Sequence, residues 1–157
     1  MDKDAAEGNP HSCRLRKGRH SLPGHAYAVT KCTDGRRPIL AGGAAAIVID
    51  ALKAIHQKGA ADCLGFVVMP DHLHAVLWLH SGQLSDVIAS FAKFTARKIN
   101  KLGNTNGAIW QEGFYDHAIR GEESLRGCLE YMRYNPVRAG LAAKPGDWPY
   151  SAIFPQW

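Results

Sequence analysis

The feature that most constrains this chain is a pair of apolar runs, LGFVVM at 64–69 and HLHAVLWLH at 72–80, separated only by Pro70 and Asp71. Two residues cannot carry a parallel crossover, so the runs must fold back on each other as an antiparallel hairpin. Both runs are apolar almost throughout, which suits strands covered on both faces and so a central place in a sheet. Such a sheet needs helices to cover it, and the flanking sequence supplies candidates.

Residues 26–32 (AYAVTKC) carry Val and Thr in partial alternation, the pattern of a short strand, and Thr33-Asp34-Gly35 is turn chemistry. Residues 44–58 place Ile47, Ala51, Leu52 and Ile55 on one helical stripe, with Gly59 as the stop. Residues 85–101 predict a second helix, with Leu84, Val87, Ile88, Phe91, Phe94 and Ile99 outlining its buried face. Residues 114–120 (FYDHAIR) predict a fourth strand, and 122–134 a third helix ended by Asn135-Pro136. After Gly140 come Pro145, Pro149 and Pro155, and this tail is expected to wrap the domain without regular structure. The order is α+β: one antiparallel sheet with helices packed on it, a group that includes the ferredoxin-like split βαβ arrangement. With 157 residues there is room for one domain, expected over 14–157 behind a flexible tail at 1–13.

Several function classes drop out. Cys13, Cys32, Cys63 and Cys128 are far apart, so there is no zinc ribbon and no redox CxxC, and free thiols are expected. No apolar stretch approaches the roughly 20 residues that cross a bilayer, and no signal peptide is visible, so a cytoplasmic location without membrane contact is expected. No GxxxxGK[ST] string is present. Net charge is +5, and it is uneven: between 14 and 37, seven basic residues (Arg14, Arg16, Lys17, Arg19, Lys31, Arg36, Arg37) face one acid, Asp34. That segment is either a solvated basic surface or a contact with phosphates. Lys93, Arg97, Lys98 and Lys101 add positive charge, and Tyr27, Phe91, Phe94 and Trp110 interleave rings with it, the composition of a single-strand binder, although Phe91 and Phe94 also fit a core.

Two motifs can carry chemistry. In His72-Leu73-His74, side chains two apart on a strand share a face, so two imidazoles can converge on one divalent ion or simply serve structure. Asp71 beside them either accepts from an imidazole or shapes the turn, and the turn is the favoured reading. Tyr131 and Asn135 stand at i, i+4 on the last helix and so share a face. Separately they read as a core ring and a helix end; together with the histidines they would complete a three-ligand site with a phenol beside it.

The strings VVMPDHLHAVLWL (67–79), IWQEGFYDHAIR (109–120), EYMRYNPVRAGL (130–141) and GDWPYSA (146–152), with PGHAYAVTKC (23–32) ahead of them, resemble the REP-associated tyrosine transposases, a branch of the HUH single-tyrosine transposases. The resemblance runs over about 14–154. It implies a ferredoxin-like core, Tyr131 as nucleophile, and a divalent ion (Mg2+ or Mn2+) held by His72, His74 and Asn135. Tyr134 lacks the i, i+4 relation to Asn135. The resemblance further implies cleavage and rejoining of single-stranded or hairpin DNA through a 5′-phosphotyrosine, by a monomer or homodimer. Arg14, Arg16, Lys17, Arg19 and His20 are candidates for DNA recognition, with Lys93 and Arg97 as further DNA-binding candidates; Asp116 and His117 are candidates for a general base. The alternatives are a DNA-hairpin-binding regulator derived from a transposase, without catalysis, and a metal hydrolase using activated water.

Overall fold

The computed structural model describes residues 20–157, so the tail at 1–13 and the candidates Arg14, Arg16, Lys17 and Arg19 lie outside the described residues. The elements are β1 (His25–Cys32), α1 (Gly43–Lys58), β2 (Ala61–Met69), β3 (His72–Leu79), α2 (Leu84–Gly103), β4 (Tyr115–Ile119), α3 (Glu122–Arg133), a one-turn α4 (Asn135–Arg138) and β5 (Ser151–Ile153). All pairings are antiparallel, in the order β4-β1-β3-β2-β5. The first four strands with α1 and α2 make the split βαβ arrangement, so the expected α+β, ferredoxin-like class is the observed one.

The hairpin pairs Met69 with His72 across Pro70-Asp71, and β3 lies between β1 and β2 at the sheet's centre. Two layers of core follow from strand alternation. Leu73, Ala75 and Leu77 of β3 face α1 and α2, where Val48, Leu52, Leu84, Ile88 and Phe91 are buried with them. On the other face, Val76, Val67 and Met69 meet Leu129 and Met132 of α3. His72 and His74 share the parity of Val76, so the sheet presents them on the α3 side.

Several expectations change. The tail after Gly140 is not irregular throughout: β5 adds a fifth strand to the edge of β2, pairing Val67 with Ser151 and Gly65 with Ile153. Asn135-Pro136 does not end the helical path. Tyr134 keeps right-handed helical angles, and Pro136 sits in the first turn of α4, where a missing N–H costs nothing. Tyr27, Phe91 and Trp110 are buried core rings, and the Trp110 indole donates to Thr95 Oγ1 at 2.9 Å. They offer no stacking platform. Phe94, expected on the buried face of α2, is 39% exposed, with Lys98 Nζ 5.5 Å from its ring centroid. Lys31 is buried rather than a surface cation. Its ammonium donates to the carbonyls of Gln111 and Gly113, which ties the loop before β4 to β1, and burial pushes its pKa down.

The seating of α3 depends on Gly65. A Cβ there would stand 2.7 Å from Leu129 Cδ2 and 3.1 Å from both Met132 Cε and Ile153 Cδ1. The missing side chain lets α3 approach β2 closely. Those three atoms are tips of flexible side chains, so Gly65→Ala should cost little. Gly65→Val places two more carbons in a filled space and is expected to cost about 1–3 kcal/mol by overpacking, read as a lowered denaturant midpoint.

Candidate active site

His74 stands opposite Thr30 in the β1–β3 register, and its Nδ1 lies 2.9 Å from Thr30 Oγ1. His72 Nδ1 donates to Asp71 Oδ1 at 2.6 Å, and Arg36 Nε donates to Asp71 Oδ2 at 3.0 Å. A carboxylate only accepts, so this bond places the His72 proton on Nδ1 and leaves Nε2 as a lone-pair donor. With both Nδ1 atoms engaged, the two Nε2 atoms turn toward each other at 3.1 Å, the rings nearly perpendicular at 84°. The favoured reading of Asp71 as a turn residue was incomplete. Its backbone carbonyl does accept from Thr33, by N–H at 2.9 Å and Oγ1 at 3.0 Å, while its carboxylate orients His72.

The electrostatics keep both imidazoles neutral. Burial lowers the pKa of His74 to about 3, helped by His72, Arg138 and Arg36. Burial also lowers that of His72, against the opposing pull of Asp71. The Asp71 carboxyl is raised by burial, but the bond from His72 and the charge of Arg36 outweigh this and hold it below the usual range. At neutral pH the pair therefore offers two uncharged nitrogen donors.

These donors fit a divalent ion. Two bonds of about 2.1 Å meeting near a right angle span about 3.0 Å, close to the observed 3.1 Å between the Nε2 atoms. Among the described residues no group of three His, Cys, Asp or Glu could hold a metal ion, so a third donor from these residues would be of another type. The carboxamide of Asn135 is available: it lines, with His74, Tyr131 and Thr30, one cavity of about 260 Å3 between α3 and the sheet. One chain thus supplies imidazole, phenol and carboxamide to the same cavity. Tyr131 is 53% exposed, so solvent and a large substrate reach it. Tyr134 does not line the cavity; its ring lies by Arg133, whose Cζ is 5.9 Å from the centroid.

Strand parity separates the two general-base candidates. His117 pairs with Ala28 and lines the cavity, whereas Asp116 pairs with Val29, whose side chain belongs to the α1–α2 core. Lys93 and Arg97 are exposed on α2, in the layer across the sheet from the histidines, and do not share this cavity. A larger cavity of about 460 Å3 lies between α1 and α2, but its lining includes no histidine, cysteine or tyrosine.

Three participants escaped the sequence reading: Thr30, Arg36 and Arg138. Arg138 lies three residues after Asn135 and seven after Tyr131, a spacing that keeps all three on one helical face and was available as a signal. Thr30 and Arg36 depend on long-range register and had no local one.

Residues 21–135 match the sequence profile of the family described as Transposase IS200 like. A REP-associated tyrosine transposase of Escherichia coli K12 is 32% identical over 88 residues, 56% of this chain and 52% of that protein. A Haemophilus influenzae protein assigned to the same group is 26% identical over 103 residues, 59% of this chain and 58% of its own length. The chain thus spans a little over half the length of these curated relatives. A solved REP-associated tyrosine transposase bound to a REP hairpin aligns with a TM-score of 0.67 at 25% identity, covering 85% of this chain and 79% of that one. A crystal structure of a Deinococcus radiodurans protein shares the fold, with a TM-score of 0.54 at 19% identity, over 73% of this chain and 92% of that one. Among the described residues no helix is long and apolar enough to cross a membrane.

Proposed function

This chain belongs to the IS200-like transposase family, and on that premise we propose that it is a metal-dependent transesterase that cleaves and rejoins single-stranded, hairpin-containing DNA through a 5′-phosphotyrosine at Tyr131. The observation that carries this reading is the meeting of His74, Tyr131 and Asn135 in one cavity, with the Nε2 atom of His72 3.1 Å from that of His74. A divalent ion, Mg2+ or Mn2+, held by His72, His74 and Asn135 would supply Lewis-acid polarisation of the scissile phosphate.

The residues of the chain do the rest. The Tyr131 oxygen attacks phosphorus in line; the bond from phosphorus to the 3′ oxygen breaks, and that oxygen leaves with a proton as a 3′ hydroxyl. The phenol gives up its own proton, and His117, which lines the same cavity, is the candidate to accept it. The phosphodiester is exchanged for a phosphotyrosine ester, so a 3′ hydroxyl can reverse the step with no nucleotide cofactor. Asp71 and Thr30 hold the two imidazoles with both Nε2 atoms presented, so little reorganisation is needed when the substrate arrives.

The hairpin comes from the solved relative, which is bound to one. The test is incubation of the protein with labelled single-stranded hairpin oligonucleotides and Mn2+ or Mg2+, followed by a denaturing gel. A labelled band that stays with the protein and disappears on adding EDTA beforehand is the expected result. Tight binding without any covalent band would favour the DNA-binding regulator, and cleaved DNA without a protein-linked band would favour a hydrolase.

A further inference from the structure

Of the described residues lining the Tyr131 cavity, Arg138 alone carries a permanent charge. Its guanidinium lies on the phenol ring, with Cζ 3.8 Å from the centroid. Nη2 donates to the Tyr131 backbone carbonyl at 2.7 Å and to Asn135 Oδ1 at 3.3 Å. The side chain therefore spans the nucleophile's ring and the carboxamide assigned to the ion. A carboxamide oxygen has two lone pairs, so accepting from Arg138 leaves one for a ligand bond. Among the described residues Nε and Nη1 have no hydrogen-bond partner, which leaves them donor capacity.

Beside the divalent ion assigned to this cavity, a second and fixed cation serves the chemistry. A phosphodiester is an anion, and in-line attack spreads further negative charge over its non-bridging oxygens. Asn135 carries no charge. Arg36, at the other end of the histidine pair, is already committed to Asp71 and Cys32. We propose that Arg138 is a catalytic residue of this site: its free N–H groups contact a non-bridging oxygen of the scissile phosphate while Nη2 keeps Tyr131 and Asn135 in register. This rests on the transesterase reading above and adds to it a residue that spans phenol, carboxamide and phosphate.

The experiment compares wild type, Arg138→Gln and Arg138→Lys in two measurements on the same hairpin oligonucleotide. One is the single-turnover rate of adduct formation with Mn2+; the other is the salt dependence of oligonucleotide binding in EDTA. Loss of the guanidinium in Arg138→Gln should slow adduct formation by about 100-fold. It should also flatten the slope of log affinity against log salt by about 0.7, the signature of one lost phosphate contact to a single strand. Arg138→Lys should restore the salt slope and recover part of the rate, because charge returns without the planar fork. The unfolding midpoint, measured alongside, should match wild type, since Arg138 is exposed. An unchanged salt slope, or Arg138→Lys no better than Arg138→Gln, overturns the proposal. If wild type itself forms no adduct, the transesterase reading fails, and the salt slope still decides whether Arg138 meets a phosphate.

Discussion

Tyr131→Phe is expected to abolish the protein–DNA adduct, a loss on the order of 10^4-fold or more, because a nucleophile has no substitute once its reacting oxygen is gone. The substitution removes one oxygen and keeps the ring, so the stacking of Arg138 on it at 3.8 Å and the packing of α3 should survive. Hairpin binding and the unfolding midpoint should therefore stay at wild-type levels. Tyr134→Phe is the matched control. Tyr134 lies only three residues on, yet its ring stands outside the cavity that Tyr131 lines, so its adduct yield should be within a factor of a few of wild type. An adduct from Tyr131→Phe, or its loss in Tyr134→Phe alone, would assign the nucleophile to the wrong side chain.

The second large effect concerns the histidines. His72→Ala or His74→Ala should each weaken Mn2+ binding by more than about 100-fold, since each removes a direct donor, whereas loss of an orienting partner typically costs 10–100-fold. Asp71→Asn falls in that second class. Asparagine keeps the size but weakens acceptance from His72 Nδ1 and removes the negative charge that Arg36 holds. Calorimetric Mn2+ titration of the three variants should rank them in that order, with adduct rates following at fixed metal. Equal Mn2+ affinity in His74→Ala and wild type would remove the histidine pair from the ion site. His74→Ala also frees Thr30 Oγ1, so a companion Thr30→Val variant tells whether any loss comes from that hydroxyl.

Periodicity made much of the fold readable. The two apolar runs around Pro70-Asp71 became β2 and β3 at the sheet's centre, and the 3.6-residue spacing of Leu84, Ile88 and Phe91 became α2. Where the reading failed, a distant partner had decided the matter. Tyr27 reads as a ring for bases because it lies in a basic segment, and Trp110 accompanies it; in the fold both are buried in the core, which local composition does not record. The tail looked irregular because of its prolines, yet the exposed edge of β2 recruits Ser151–Ile153 as a strand. Asn135-Pro136 read as a stop, and the proline instead opens a further turn that carries Arg138 back over Tyr131.

By itself the sequence determined which side chains share a face: alternation put His72 and His74 together on one side of β3, and helical spacing grouped Tyr131 with Asn135. Those are properties of neighbours a few bonds apart, fixed by backbone geometry whatever the rest of the chain does. Only the tertiary structure decided that the two faces meet. The absent side chain of Gly65 lets α3 settle against β2, and Thr30, 44 residues before His74, lands opposite it through strand register. Such contacts depend on how separate elements pack, and no local repeat encodes them.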